Sequence, residues 1–146
     1  MLKTPQHREV FLWYSYTMNK VTSAGGIAVK NKKILLIRLE SGMYAIPKGH
    51  LENDETESQT AIREVEEETG VKVEIKGYLG ELTRLAVEDS GETVEKTIKV
   101  YKMQEIGVSD NDPDEDKIWT SIDDALSNMY FLEEKEFIQL HVGELR

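Results

Sequence analysis

The stretch Gly49–Val71, GHLENDETESQTAIREVEEETGV, constrains this chain more than any other. Between Glu52 and Glu68 it carries eight acids (Glu52, Asp54, Glu55, Glu57, Glu64, Glu66, Glu67, Glu68) against one base, Arg63. Its pattern still predicts a helix. Asn53 or Asp54 can cap the start, acids fill the first turn, and Gly70 stands where a left-handed residue ends a helix. Ser58, Ala61, Ile62, Val65 and Thr69 recur at helical spacing and predict one buried face.

Acids in a first turn complement the positive end of the helix dipole, but Glu64, Glu66, Glu67 and Glu68 crowd the negative end. There each costs roughly 0.3–1 kcal/mol, and Glu64 with Glu68 forms a like-charge pair one turn apart. Two readings account for them. In one, they form a solvated acidic face laced by Arg63. In the other, Glu64, Glu67 and Glu68, at i, i+3 and i+4, converge as hard oxygen donors for Mg²⁺ or Mn²⁺.

At 146 residues the chain fits one domain with a sizeable core. It has no cysteine, which excludes disulfides and thiolate metal sites. No segment has the length and apolarity of a membrane span, and Val10–Tyr14 is too short for a leader's apolar region, so a cytoplasmic location is the default expectation. The net charge of −10 argues against holding long nucleic acid through its phosphates. It does not argue against small polyphosphates, because bound metal ions invert the local sign.

Residues 1–20 place Phe11, Trp13, Tyr14 and Tyr16 among polar neighbours. They are expected to pin an extension onto the domain or to form a subunit contact, with a homodimer as one outcome; stacking on a purine is the alternative. Val21–Val29 predicts a strand with a close backbone approach at Gly25-Gly26, Asn31–Lys33 a turn, and Ile34–Ile37 a buried strand. Tyr44–Ile46 predicts a short strand, and Pro47-Lys48-Gly49-His50 a loop feeding the helix. Lys48 can contact a phosphate oxygen or neutralise nearby Glu; His50 reads as a structural loop histidine.

Val71–Val87 predicts one or two strands, Glu88–Gly91 a hairpin turn and Thr93–Met103 a further strand. Asp110–Asp116 is an acidic loop from which Glu115 is the candidate for a further metal carboxylate. Ile118–Thr120 predicts a strand whose Trp119 is core, Ser121–Asp124 opens a helix, and Phe131–Val142 predicts an amphipathic helix with Phe137, Ile138 and Leu140 inward. Strands around a central helix, then C-terminal helices, make an α/β domain.

Gly49, five residues, Glu55, seven residues, Arg63-Glu64-Val65, one residue, Glu67-Glu68, one residue and Gly70-Val71 together resemble the Nudix box at every fixed position. The similarity to MutT-like Nudix hydrolases runs from about Val21 to Leu126 through GGIAV, ILLI and YAIPKGHLE. It implies a Nudix-type α/β/α sandwich with a mixed central sheet. It also implies Mg²⁺-dependent hydrolysis, with Mn²⁺ as a substitute, of a nucleoside diphosphate linked to another group, X. By that resemblance Glu64, Glu67, Glu68 and the Gly49 carbonyl hold metal, Glu64 also deprotonates or orients the attacking water, and Arg63 pairs with Glu55 to hold the set.

Ile46–Glu52 and Lys96–Tyr101 are similar to the dinucleoside polyphosphate (ApnA) branch, with Tyr44 where that branch usually has Trp. The Pro that usually marks ADP-ribose pyrophosphatases beyond the box is absent, with Leu85 and Ala86 in its place. A diadenosine polyphosphate is therefore the expected substrate. The alternatives are a nucleoside triphosphate, cleaved to pyrophosphate as in pool cleaning, and a Nudix-fold module that binds a nucleotide without cleaving it.

Overall fold

The computed structural model describes residues 18–146. The expectations for Phe11, Trp13, Tyr14 and Tyr16 lie outside the described residues. Strand β1 (Lys20–Lys30) turns at Asn31 and Lys32 into β2 (Lys33–Arg38). Both turn residues have positive φ, 51° and 64°, the left-handed pair whose twist suits a two-residue hairpin. Then come β3 (Tyr44–Ala45), β4 (Lys48–His50) and helix α1 (Glu57–Thr69). The long hairpin β5 (Val71–Val87) and β6 (Thr93–Val108) follows, and β7 (Asp116–Ser121) leads into α2 (Ile122–Asn128), α3 (Leu132–Leu140) and α4 (Val142–Leu145).

The sheet runs β3-β2-β1-β6-β5, with β4 on β1 and β7 on β2. It is mixed: β1 and β6 are parallel, whereas β1–β2, β1–β4, β2–β3, β2–β7 and β5–β6 are antiparallel. Alternating side chains on β1 and β2 feed both faces. Ile27, Ile34 and Leu36 join Ile98, Val100, Phe137, Ile138 and Leu145 on the side of the C-terminal helices. Ala24, Ala28 and Leu35 join Val73, Met103, Ala61 and Val65 under α1. The result is the expected α/β sandwich, and no helix among the described residues is long and apolar enough to cross a membrane.

Several local expectations need correction. Pro47–His50 is not all loop, because Lys48, Gly49 and His50 pair with Gly25, Ala24 and Ser23 as β4. Helix α1 starts later than Asn53 or Asp54: Thr56 is the cap, its hydroxyl accepting from Gln59 N while the Gln59 side chain accepts from Thr56 N. This reciprocal pair satisfies two orphan amides, and Asp54 instead sits in the preceding turn with φ 65°. Ile62 is 37% exposed and Thr60 takes the buried position in its place. Leu140 is 78% exposed, because the helix expected to reach Val142 breaks at His141.

Trp119 is only partly buried, with the Lys30 ammonium 4.4 Å from the centre of its ring. Gly70 does end α1 in the left-handed conformation, with φ 74°. Replacing Thr56 by Ala removes the cap hydroxyl and is expected to destabilise the protein by about 1 kcal/mol, read as a lower midpoint in urea unfolding with an unchanged slope.

Candidate active site

The site is organised by Arg63, on the face of α1 that looks toward β4. Its Nε donates to Glu55 Oε2 (2.7 Å) and its Nη2 to Glu55 Oε1 (2.9 Å), a two-pronged grip that fixes the plane of the guanidinium. Nη2 also donates to His50 O (3.0 Å), tying α1 to β4. Nη1 donates to Glu64 Oε1 (2.8 Å) and Glu67 Oε2 (3.1 Å). Glu55 in turn accepts from Glu52 N and Thr60 Oγ1, both at 2.9 Å.

Arg63 first, and then the Glu52 amide, pull the Glu55 carboxyl down to about 2. Glu55, foremost among its neighbours, pushes the Arg63 guanidinium up. A depressed carboxyl contributes stability that is fully present above its unfolded value, near 4.5, and is lost as pH falls through about 2. Wild-type protein is therefore expected to lose unfolding free energy progressively between those values. Glu55→Gln flattens that part of the curve, as urea titrations at stepped pH will show.

Gly49 makes room for Glu64: a Cβ built there would overlap the Glu64 carboxylate, so any other residue displaces it. Burial pushes the Glu64 carboxyl up and the Arg63 hydrogen bond opposes the shift. Glu68 is more enclosed: its Oε2 accepts from Lys48 N (3.1 Å), yet burial raises it to about 8 despite the charge of Lys48. Among the described residues no three His, Asp or Glu side chains stand together as a ready ligand set, and Glu64 and Glu67 each give one oxygen to Arg63.

The chemistry of the donors nevertheless suits a hard divalent cation. Burial raises the carboxyls of Glu64 and Glu68 beside the Gly49 backbone of β4, and a cation there offsets their desolvation. The acidic loop reaches the same end of α1: Asp114 N donates to Glu67 O (2.8 Å), Glu115 N to Glu68 O (3.1 Å) and Ser109 N to Gly70 O (2.8 Å). These amides satisfy carbonyls at the crowded negative end of the helix. They also bring Glu115 into electrostatic range of Glu68.

Lys48 turns its ammonium away from the acids of α1, to Ile46 O (2.9 Å) and Glu134 Oε2 (3.3 Å). His50 Nε2 lies 3.2 Å from Glu88 Oε2. Glu134 is the residue that sequence reasoning missed. It is fully buried: Oε1 accepts from Ile46 N (2.8 Å) and Oε2 faces Arg84 Nε (3.2 Å). The signal was available, since Glu134 lies three and four residues before Phe137 and Ile138, on the inward face, where a carboxylate needs partners.

A family model described as NUDIX domain matches residues 19–141. The chain belongs to the Nudix family. Among its Nudix relatives is a protein of Mycobacterium tuberculosis that bears the name mutator protein MutT4. The two are 36% identical over 101 residues, 67% of this chain and 40% of that one. An ADP-ribose pyrophosphatase of Methanocaldococcus jannaschii is 35% identical over 71 residues, 46% of this chain and 42% of that one. The Nudix region aligned here thus spans about two fifths of these curated relatives. A NUDIX hydrolase from Nitrosomonas europaea shares the fold with a TM-score of 0.65 at 22% identity, over 88% of this chain and 92% of that one.

Proposed function

We propose that this Nudix protein hydrolyses the pyrophosphate linkage of a nucleoside diphosphate joined to a further group, X, with Mg²⁺ as its ion and Mn²⁺ as a substitute. The observation that carries this reading is the meeting of α1 and β4. There Gly49 leaves room for Glu64 against the strand, Glu68 is buried on the Lys48 amide, and Arg63 orients Glu64 and Glu67. Glu64, Glu67, Glu68 and the Gly49 carbonyl would hold the ion. When bound, such an ion neutralises a dense polyanion and acidifies coordinated water.

The chain's own residues position and move the proton. Glu64, which packs against Gly49 of β4, orients the attacking water and takes its proton. Arg63 holds that carboxylate in one rotamer, and Glu55 holds Arg63, as outer partners of reactive groups do. The remainder of the rate comes from positioning and electrostatics, since phosphoryl transfer asks little covalent chemistry of the protein. A purely binding Nudix module does not need this arrangement, and all three carboxylates are present.

For the substrate, the similarity of Ile46–Glu52 and Lys96–Tyr101 to the dinucleoside polyphosphate branch supports a diadenosine polyphosphate. The relative named as a mutator protein supports a second reading, a nucleoside triphosphate cleaved to monophosphate and pyrophosphate. Chromatography of products from diadenosine tetra-, penta- and hexaphosphate, canonical and oxidised dNTPs and ADP-ribose separates them. ATP released fastest from the diadenosine compounds supports the first reading. Pyrophosphate from a dNTP as the fastest reaction replaces it with the second.

A further inference from the structure

Arg84 on β5 and Lys96 on β6 are direct cross-strand partners. They share the sheet face of their neighbouring pair Leu82 and Ile98, which is core under the C-terminal helices. Like charges placed directly opposite each other destabilise a strand pair, more so out of water. Arg84 is buried, its guanidinium 3.6 Å from the centre of the Phe131 ring. Its Nε is matched by Glu134 and its Nη1 by Leu85 O (3.2 Å), while Nη2 donates to no atom of the described residues. Lys96 makes no hydrogen bond and no close ion pair among the described residues. Burial pushes its ammonium down, Glu88 opposing and Lys48 and Arg84 adding to the shift.

In a chain of net charge −10, Lys48 and Arg84 thus share the buried carboxylate of Glu134, and Lys96 lies within electrostatic range of it and of Glu88. Arg84, Lys96, Phe131 and Thr93 line an open cleft of about 330 Å³. Its link to the acidic centre is short, because Lys48 pairs with Glu134 through its ammonium and with Glu68 through its amide. The arrangement is costly as it stands and balanced once an anion enters.

Resting on the hydrolase reading above, we propose that this cleft is a subsite for a phosphoryl group beyond the scissile linkage, contacted by Lys96 and Nη2 of Arg84. The substrate class it selects has three or more phosphoryl groups in a row, a nucleoside triphosphate or a dinucleoside polyphosphate. A nucleoside diphosphate sugar such as ADP-ribose has nothing to place there. Lys96 is thereby a specificity-determining residue that acts on binding.

The test compares wild type with Lys96→Met, and with Lys117→Met on the exposed part of β7 as a control of equal charge. Calorimetric titration with inorganic tripolyphosphate in chelator, with no metal, reads the cleft directly. Lys96→Met is expected to weaken tripolyphosphate binding about tenfold, the effect of one charged hydrogen bond, and to raise KM for diadenosine tetraphosphate more than it lowers kcat. Its Tm is expected to hold or rise, since a half-buried charge opposite Arg84 has been removed, and Lys117→Met is expected to match wild type. Unchanged tripolyphosphate affinity in Lys96→Met overturns the subsite, and so does a lower Tm with KM unchanged. Tripolyphosphate bound through Lys96 by a protein that hydrolyses none of the panel leaves the subsite standing and removes the hydrolase reading.

Discussion

Glu64→Gln is expected to lower kcat for the preferred substrate by about 10²–10⁴-fold, the usual contribution of a positioned general base. Folding is expected to survive. Gln keeps an oxygen for Arg63 Nη1 and fits the space that Gly49 leaves, so a change in Tm of no more than a few degrees is the companion result. Glu68→Gln has the same expected loss of turnover with even less structural cost. The side chain is buried, its oxygen still accepts from Lys48 N, and a charge that burial disfavours is gone. Loss of turnover with retained Tm in both variants separates chemistry from scaffold. Full activity in both removes the helix from the mechanism.

That separation is legible in the sequence because the acids at the end of α1 conflict with the helix they sit in. Four carboxylates at the negative pole, two of them one turn apart, make no sense as helix stabilisers, and that conflict pointed to the site. The strands were legible from their apolar runs and the sandwich from the order of elements. What could not be read was set by distant partners. Lys48–His50 looks like a loop by composition, and only the edge of β1 makes it a strand. Ile62 looked inward by periodicity, whereas Thr60 occupies the buried position with its hydroxyl on Glu55. The direction of the Lys48 ammonium depended on Glu134, 86 residues further along the chain and silent until the fold brings it in.

Glu134 carries the second large effect. Its carboxylate is fully buried and serves Ile46 N, Arg84 Nε and the Lys48 ammonium together. Glu134→Gln retains the acceptor for Ile46 N but leaves two cations facing each other with no countercharge. Breaking one side of a buried ionic set costs about 3–5 kcal/mol, so Tm is expected to fall by on the order of 10 °C. Adding Lys48→Met to Glu134→Gln removes one stranded charge and is expected to recover part of the loss. A double mutant no more stable than Glu134→Gln, or a single mutant as stable as wild type, contradicts this account of the network. The same set keeps Ile46 and β4 in place beside α1, so the stability experiment also reports on what holds the site open.

The central claim is hydrolysis of a phosphoanhydride at the α1–β4 junction, dependent on a divalent cation. Its most direct test is turnover of the substrate panel in oxygen-labelled water, with Mg²⁺ and with chelator, followed by mass spectrometry of the products. The account predicts label in one phosphoryl product with Mg²⁺, and neither label nor product in chelator. Product formed equally well in chelator, or no labelled product from any member of the panel with Mg²⁺ present, contradicts it.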